Sequence, residues 1–472
     1  MQTLQQQWFG NIQADILSGI VVALALIPEA IAFSILAGVD PMVGLYASFT
    51  MATVIAIVGG RPAMISAATG AMALVIVDLV ADHGLHYLLA ATILTGLIQI
   101  LLGVLGIAKL MRFIPNSVMI GFVNSLAILV FLAQLPHFIG GNGITYVFLI
   151  ITIGIVYFIP KFFKLIPAPL IAVIILTTAA ILLHLDVKTV GDLGAVPTSL
   201  PTFLLPNIPL TWETFAIILP YSLALAVVGL LESLLTAQIL DDMTDTKSNK
   251  NMEARGQGIA NIINGFLGGM AGCAMIGQSM INVKSGGRGR LSTLVAGVFL
   301  MFLIVALRDI VIAIPMPVLA GIMVMVAVSA FDWGSLKYAT TAPKSDVFVM
   351  LTTIIIVLYT DNLAIGVVTG IIISALFFVS KISKVNITST NGTYIIEGPL
   401  FFASTKAFIE QLELATEQHV TIDLTSSHLW DESSVGAIVK VVSRLEEKGQ
   451  TVQIIGMNPA SQALYQKLVG LS

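Results

Sequence analysis

Two carboxylates stand in stretches otherwise too apolar for water, Glu29 in IVVALALIPEAIAFSILAG and Glu232 in VVGLLESLLTAQILDD. An ionised side chain facing lipid costs about 2.5 to 3.5 kcal/mol on insertion scales, so each is expected to face a polar cavity. There the pair has the chemistry to take up and return a proton. Pro28 removes a helix hydrogen bond beside Glu29 and opens the backbone; the alternative is a kink whose carboxylate reaches an interface. After Glu232 comes GQGIANIINGFLGGMAGCAMIGQSMINVKSGGRGR, where Gly268, Gly269, Gly272 and Gly277 cannot hold a long regular helix cheaply. Broken backbone at membrane depth is tolerated only where protein buries it or it lines a cavity. Thr69-Gly70-Ala71-Met72 and Ala274-Met275-Ile276-Gly277 open short apolar segments. Such openings leave N–H groups bare and aim a positive dipole end inward, an anion site that needs no basic side chain. Tight helix crossings also use small residues, and either segment taken alone fits both readings.

Of the 472 residues 57% are hydrophobic and 10% charged, against about 25% charged in soluble domains. The chain therefore reads as a polytopic membrane protein. Its net charge of -4 implies neither nucleic acid binding nor a basic membrane-surface patch. One cysteine, Cys273, excludes an intrachain disulfide and any multi-cysteine metal site, and the histidines form no zinc pattern such as HExxH. No nucleophile–base constellation appears, so neither an enzyme nor a resident cofactor is expected. The start MQTLQQQWFGNIQADILSG lacks a basic n-region and a small-residue cleavage site, so no removable signal peptide is expected.

The elements that must position these residues are apolar runs near 12–37, 43–58, 86–107, 112–135, 145–160, 168–185, 214–240, 291–307, 310–330, 345–360 and 363–382. Shorter pieces near 69–82, 256–270 and 274–284 bring the expectation to fourteen crossings or half-crossings. With the N-terminus inside, the even-numbered loops and the exit collect fifteen Lys and Arg, from Arg61, Lys109 and Arg112 through Lys161, Lys164 and Lys250 to Lys384. Only Lys188 and Arg308 fall outside, so both ends are expected in the cytoplasm. Pro28-Glu29 has a counterpart in Glu232, and Gly59-Gly60 in Gly268-Gly269, at offsets of 203 and 209 residues. Seven spans per repeat, an odd number, require the second copy to be inverted. A Pro-rich link (190–213) is expected outside. After Lys384 strand-like runs alternate with amphipathic helix patterns, a small soluble α/β domain. The division is residues 1–384 (repeats about 10–190 and 210–384) and 385–472.

The ordered motifs Ile27-Pro28-Glu29-Ala30-Ile31-Ala32-Phe33, Pro41-x-x-Gly44-Leu45-Tyr46-Ala47-Ser48, Gly59-Gly60-Arg61, Thr69-Gly70, Gly229-x-x-Glu232-Ser233-Leu234-Leu235-Thr236, Gly256-Gln257-Gly258-x-x-Asn261 and Ser285-Gly286-Gly287-Arg288 resemble the SulP (sulfate permease) family of anion transporters across essentially the whole chain. The C-terminal part resembles that family's STAS domain. The resemblance implies an α-helical polytopic fold of fourteen transmembrane segments in seven-plus-seven inverted repeats, with core and gate subdomains, usually a homodimer, and a cytoplasmic STAS domain open to protein partners. It implies substrate contacts at Glu29, Phe33, Thr69, Gly70, Ala274, Met275 and Ile276, and ion coupling at Glu232, Glu29 and Thr236. Many relatives have Gln in place of Glu29, so the second carboxylate here points to protons. Sodium-coupled bicarbonate members carry Asp at the position of Glu232 and Gly-Ala-Thr in place of Cys273-Ala274-Met275. A sodium set of Glu232, Thr236 and Cys273 is the alternative, with the hydroxyl lost at Met275. Soluble STAS proteins phosphorylate a serine in Asp-Ser-Ser-Gly; the run Asp431-Glu432-Ser433-Ser434 offers Ser433 or Ser434, which otherwise cap the next helix.

The expected protein is a multi-pass cell-membrane carrier that symports a small anion (sulfate, bicarbonate or dicarboxylate) with protons by moving a core against a gate. The alternatives are a sodium-coupled bicarbonate transporter, an uncoupled anion channel or exchanger, and a STAS-linked sensor.

Overall fold

The computed structural model describes residues 4–106, 109, 114–162, 167–196, 198–360 and 362–469. Arg112 and Lys164 of the basic-loop pattern lie outside them. The chain divides into two compact units, Met1–Gly370 and Ile371–Ser472.

The first unit is helical around one pair of short strands. Its first half runs α1 (Leu4–Phe9), α2 (Ile12–Leu36), α3 (Pro41–Val58), β1 (Ser66–Ala68), α4 (Gly70–His83), α5 (Leu85–Val104), α6 (Asn116–Gln134), α7 (Gly143–Phe162) and α8 (Ala168–Leu182). The second half repeats that order with α9 (Trp212–Thr244), α10 (Lys250–Phe266), β2 (Gly272–Ala274), α11 (Ile276–Lys284), α12 (Arg290–Ala306), α13 (Arg308–Ile312), α14 (Met316–Ala330), α15 (Gly334–Thr341) and α16 (Lys344–Thr360). The last helix, α17 (Leu363–Ile382), runs across the division. Side-chain caps start several of these helices where the apolar runs begin: Asn11 at α2, Thr211 at α9 and Asn249 at α10 each accept an N–H of the first turn.

Every apolar run read from the sequence holds a helix, with one break. The run 310–330 splits into α13 and α14, because Pro315 has no N–H to donate and disfavours helical backbone just before it. Among the described residues, eight helices are long and apolar enough to cross a membrane.

The helices pack in two groups, each drawing on both halves of the chain. In one, α10 lies against α5 and α3, α12 against α2 and α3, and α9 against α5; in the other, α14 lies against α6, α7 and α8, and α16 against α6. The groups meet where α2 touches α14 and α8 and where α4 touches α6. Glycine is required at the α5–α10 crossing: a Cβ on Gly96 would strike the carbonyl oxygen of Gly258, and one on Gly258 that of Gly96.

The second unit contains β3 (Asn386–Thr390), β4 (Thr393–Leu400), α18 (Thr405–Leu412), β5 (His419–Asp423), β6 (Ser427–Leu429), α19 (Glu432–Glu447), β7 (Thr451–Ile455) and α20 (Pro459–Val469). The sheet order is β3-β4-β5-β7, with β6 beside β4; only β3 is antiparallel to its neighbour. Ile396, Phe408, Val420, Ile422, Ile438 and Val441 fill the core between sheet and helices.

The cap of α19 differs from expectation. Asp431, not a serine, accepts the first-turn N–H, from Ser434 at 2.9 Å, and its second oxygen accepts the N–H of Phe402 at 2.8 Å. Ser434 is buried and turns its hydroxyl back to the carbonyl of Asp431, whereas Ser433 is exposed. A carboxylate outcompetes a hydroxyl here because it can hold both donors. Asp431→Ala should destabilise α19 by about 1–2 kcal/mol, read as faster hydrogen exchange confined to residues 431–447.

Candidate functional site

The centre of the first unit is the β1–β2 ladder. The strands are antiparallel, with Ser66 opposite Ala274, Ala67 opposite Cys273 and Ala68 opposite Gly272. Three-residue strands cannot hold themselves at membrane depth, and α10 supplies the missing partners. Asn261 accepts the N–H of Gly272 at 2.9 Å and donates to the Gly272 carbonyl at 3.0 Å and to Gln99 at 2.9 Å. One turn earlier, Gln257 donates to Ser66 Oγ at 2.7 Å and to Glu253 at 2.8 Å. This explains the Gly256-Gln257-Gly258-x-x-Asn261 motif: the amides clamp the strands while Gly258 lets α10 approach α5. Asn261→Leu strips both peptide groups of Gly272 of partners, at about 1–3 kcal/mol each, and should lower the melting temperature of the purified protein.

Each strand feeds a half-helix. Thr69 caps α4, its Oγ1 accepting from the Met72 N–H at 3.3 Å; α11 opens after Met275 with no side-chain cap. Among the described residues, the N–H groups of Gly70 and Ala71 on α4, and of Ile276, Gly277 and Gln278 on α11, donate to no protein acceptor. Both openings line one cavity of about 1200 Å³, shared with Glu29, Phe33 and Glu232. Its opposite wall is apolar, with Val123 and Val130 of α6 and Ile322 and Val326 of α14. The cavity therefore lies between the two helix groups and reaches Lys250, Gln238 and Asp332.

Both carboxylates face this cavity and both are hydrogen-bonded. Glu29 accepts from Gln278 Nε2 at 2.8 Å, which ties α2 to the first turn of α11. Glu232, 8% exposed, accepts from the Cys273 thiol at 2.9 Å, and Cys273 Sγ lies 3.1 Å from Thr69 Oγ1. A chain of contacts thus runs from the carboxylate of α9 through β2 to the cap of α4.

The structure places part of the expected site away from the bare amides and the cavity wall. Ala274 belongs to β2, is fully buried, and gives its N–H to Ser233 Oγ at 3.0 Å. The N–H of Met275 goes to the Ile65 carbonyl at 2.9 Å, so the bare amides begin at Ile276, because the strand register takes Met275 and Ser233 of α9 takes Ala274. Thr236 is buried, lines no part of the cavity, and donates to the Glu232 carbonyl at 2.7 Å. Cys273 spends its proton on Glu232. Phe33, Thr69, Gly70, Met275 and Ile276 all line the cavity. Sequence reasoning missed Gln278; its signal was a polar side chain in the first turn of a half-helix whose opening amides are bare.

This arrangement defines a class: membrane carriers in which two half-helices aim their N-termini at one central cavity. The chain belongs to the sulfate permease family, whose profile matches residues 12–152 and 142–353, and a STAS domain profile matches residues 383–470. It is 58% identical to the putative sulfate transporter YbaR of Bacillus subtilis (strain 168), over 99% of both chains. The transmembrane domain of a cyanobacterial bicarbonate transporter, BicA, superposes with a TM-score of 0.67 at 28% identity, over 78% of this chain and 98% of that one. The murine anion transporter Slc26a9 shares the fold at 16% identity, with a TM-score of 0.83 over 97% and 87% of the two chains.

Proposed function

We propose that the chain is a proton-coupled secondary transporter of a small inorganic or carboxylate anion. The carrying observation is one cavity lined by five unpartnered N–H groups at two half-helix openings together with two carboxylates. Backbone dipoles at both openings attract one anionic group, whose charge needs no cation in the cavity wall. Glu232, when protonated, leaves that charge unopposed and permits binding; on losing its proton it repels the anion and favours release. Cys273 holds the carboxylate beside the Thr69 cap, so its charge is felt at the opening of α4. Glu29 acts in the same sense on α11 through Gln278.

Transport follows from sliding the α2–α5 and α9–α12 group against the group of α6, α7, α8, α14 and α16 across the apolar wall. Lys250, at the start of α10, and Asp332, between α14 and α15, belong to the connections that the Lys and Arg distribution assigns to the cytoplasm, so the cavity reads as open inward. The protein acts in the cell membrane as a homodimer, each protomer with its own cavity.

Uptake into proteoliposomes tests this reading, with sulfate, bicarbonate and fumarate offered separately under an inward proton gradient and then a sodium gradient. Uptake accompanied by internal acidification supports proton symport and names the anion. Sodium-driven uptake, or current that follows voltage without proton entry, sinks the proton coupling.

A further inference from the structure

A second cavity, of about 210 Å³, shares no lining residue with the first. It is bounded by Arg61 and Ala63 after α3, by Thr244 and Thr246 at the end of α9, and by Val283 and Arg288 at the end of α11. Two arginines therefore border one small space, one from each half of the chain, Arg61 buried and Arg288 exposed.

Their circumstances differ. Arg61 is about nine-tenths buried and fully engaged, with Nη1 donating to Thr246 at 2.9 Å, Nη2 to Thr244 at 2.6 Å and to the Leu240 carbonyl at 2.9 Å, and Nε 3.3 Å from Asp241. Arg288 uses only Nη1, which donates to the carbonyls of Val283 at 2.6 Å and Gly287 at 2.9 Å. Its Nε and Nη2 have no protein acceptor among the described residues. The backbone around it is fixed, since Asp15 accepts the N–H groups of Arg288 at 2.8 Å and Gly289 at 3.0 Å.

The charges do not balance locally. Asp241 is the carboxylate paired with Arg61, and its other oxygen is taken by Lys250 at 2.6 Å and Ser248 at 2.7 Å. Arg61 and Lys250 share Asp241, Glu253 accepts the N–H groups of Gly60 and Arg61 and attracts Arg290, and Asp15 is engaged by the backbone of Arg288 and Gly289, so no carboxylate is paired with the Arg288 side chain among the described residues. Burial weighs most on the Arg61 charge, Asp241 and Glu253 attract it, and Arg288 repels it. Like charges around a small polar space are relieved by a bound anion, and a free guanidinium edge matches two oxygens of a tetrahedral oxyanion.

We propose that this cavity binds a single phosphate- or sulfate-type oxyanion group, held by the free edge of Arg288 and by the field of Arg61. The same group can be a free ion or the headgroup of an acidic phospholipid. Occupancy reaches the transport cavity by one route: the anion draws Arg61 from Asp241, and Asp241 holds Lys250, which lines that cavity. Recognition at this site does not depend on which anion the central cavity carries.

The test titrates inorganic phosphate by calorimetry into the full chain carrying Gly277→Leu, which blocks the central cavity, in low-salt detergent free of phospholipid. Arg288→Gln should weaken binding at least about tenfold, and Arg288→Lys by less. That result assigns the site to a free oxyanion. If phosphate does not bind, short-chain phosphatidic acid replaces it, and binding lost in Arg288→Gln assigns the site to a headgroup. Binding of either probe that is the same with and without Arg288→Gln, or no binding of both, overturns the proposal. A cooperative melt confirms that each variant is folded; if Arg288→Gln melts without cooperativity, Arg288→Lys carries the comparison.

Discussion

In proteoliposomes at zero membrane potential, the wild-type protein should accumulate a monoanion about tenfold across a gradient of one pH unit, since that gradient is worth about 1.4 kcal/mol per proton. Glu232→Gln should reduce this ratio to about one, while exchange of labelled for unlabelled anion continues. Gln mimics the protonated carboxyl in shape and still accepts the Cys273 thiol proton, so the β2–α9 contact survives and only the titratable charge is lost. Wild-type accumulation in this variant would show that Glu232 carries no coupling proton and would shift attention to Glu29. Loss of exchange as well would mean that the charge itself is needed to hold the site together.

Gly277→Leu should cut uptake of every anion by about a hundredfold or more, on the scale of a lost or blocked binding mode of about 3 kcal/mol. A Cβ at Gly277 meets nothing within 4 Å, so the substitution fills open space at the mouth of α11 instead of straining the backbone. The melting temperature should therefore stay within a few degrees of wild type while the amides of Ile276, Gly277 and Gln278 are covered. Uptake at the wild-type rate would remove the α11 opening from the transport path. The comparison with Asn261→Leu is informative, because that variant should lose melting temperature where Gly277→Leu should not.

Much of this architecture was legible because the bilayer leaves hydropathy little freedom. The long apolar runs and short pieces each hold a helix, and the glycine-rich breaks lie where the half-helices begin. The two carboxylates were legible for the same reason: a lone charge among Leu, Val and Ala needs a polar destination. What escaped depended on partners far away in sequence. SAA and GCA carry no strand pattern, so the pairing of Ser66 with Ala274, the loss of the Met275 amide to Ile65 and that of the Ala274 amide to Ser233 could not be foreseen from either segment. In the second unit, β4, β5 and β7 followed their alternating patterns, whereas β3 (NITST) is too polar and β6 too short to announce themselves. The cap at Asp431 was hidden by two neighbouring serines equally able to cap in isolation.

The strand pair at the centre also dictates when the protein can mature. Its first strand emerges from the ribosome long before its second, and at about 5–20 residues per second the roughly 200 residues between them take about 10–40 s to be made. Throughout that interval the edge of β1 and the opening of α4 sit in the membrane without α10 or β2 to receive them. Assembly is thus a delayed closure across the whole transport domain, and the half-made protein is the form that translocon partners or membrane proteases meet. Substitutions at Gln257 or Asn261 should lengthen that exposure, lowering the amount of protein inserted more than the turnover of each molecule that completes the ladder.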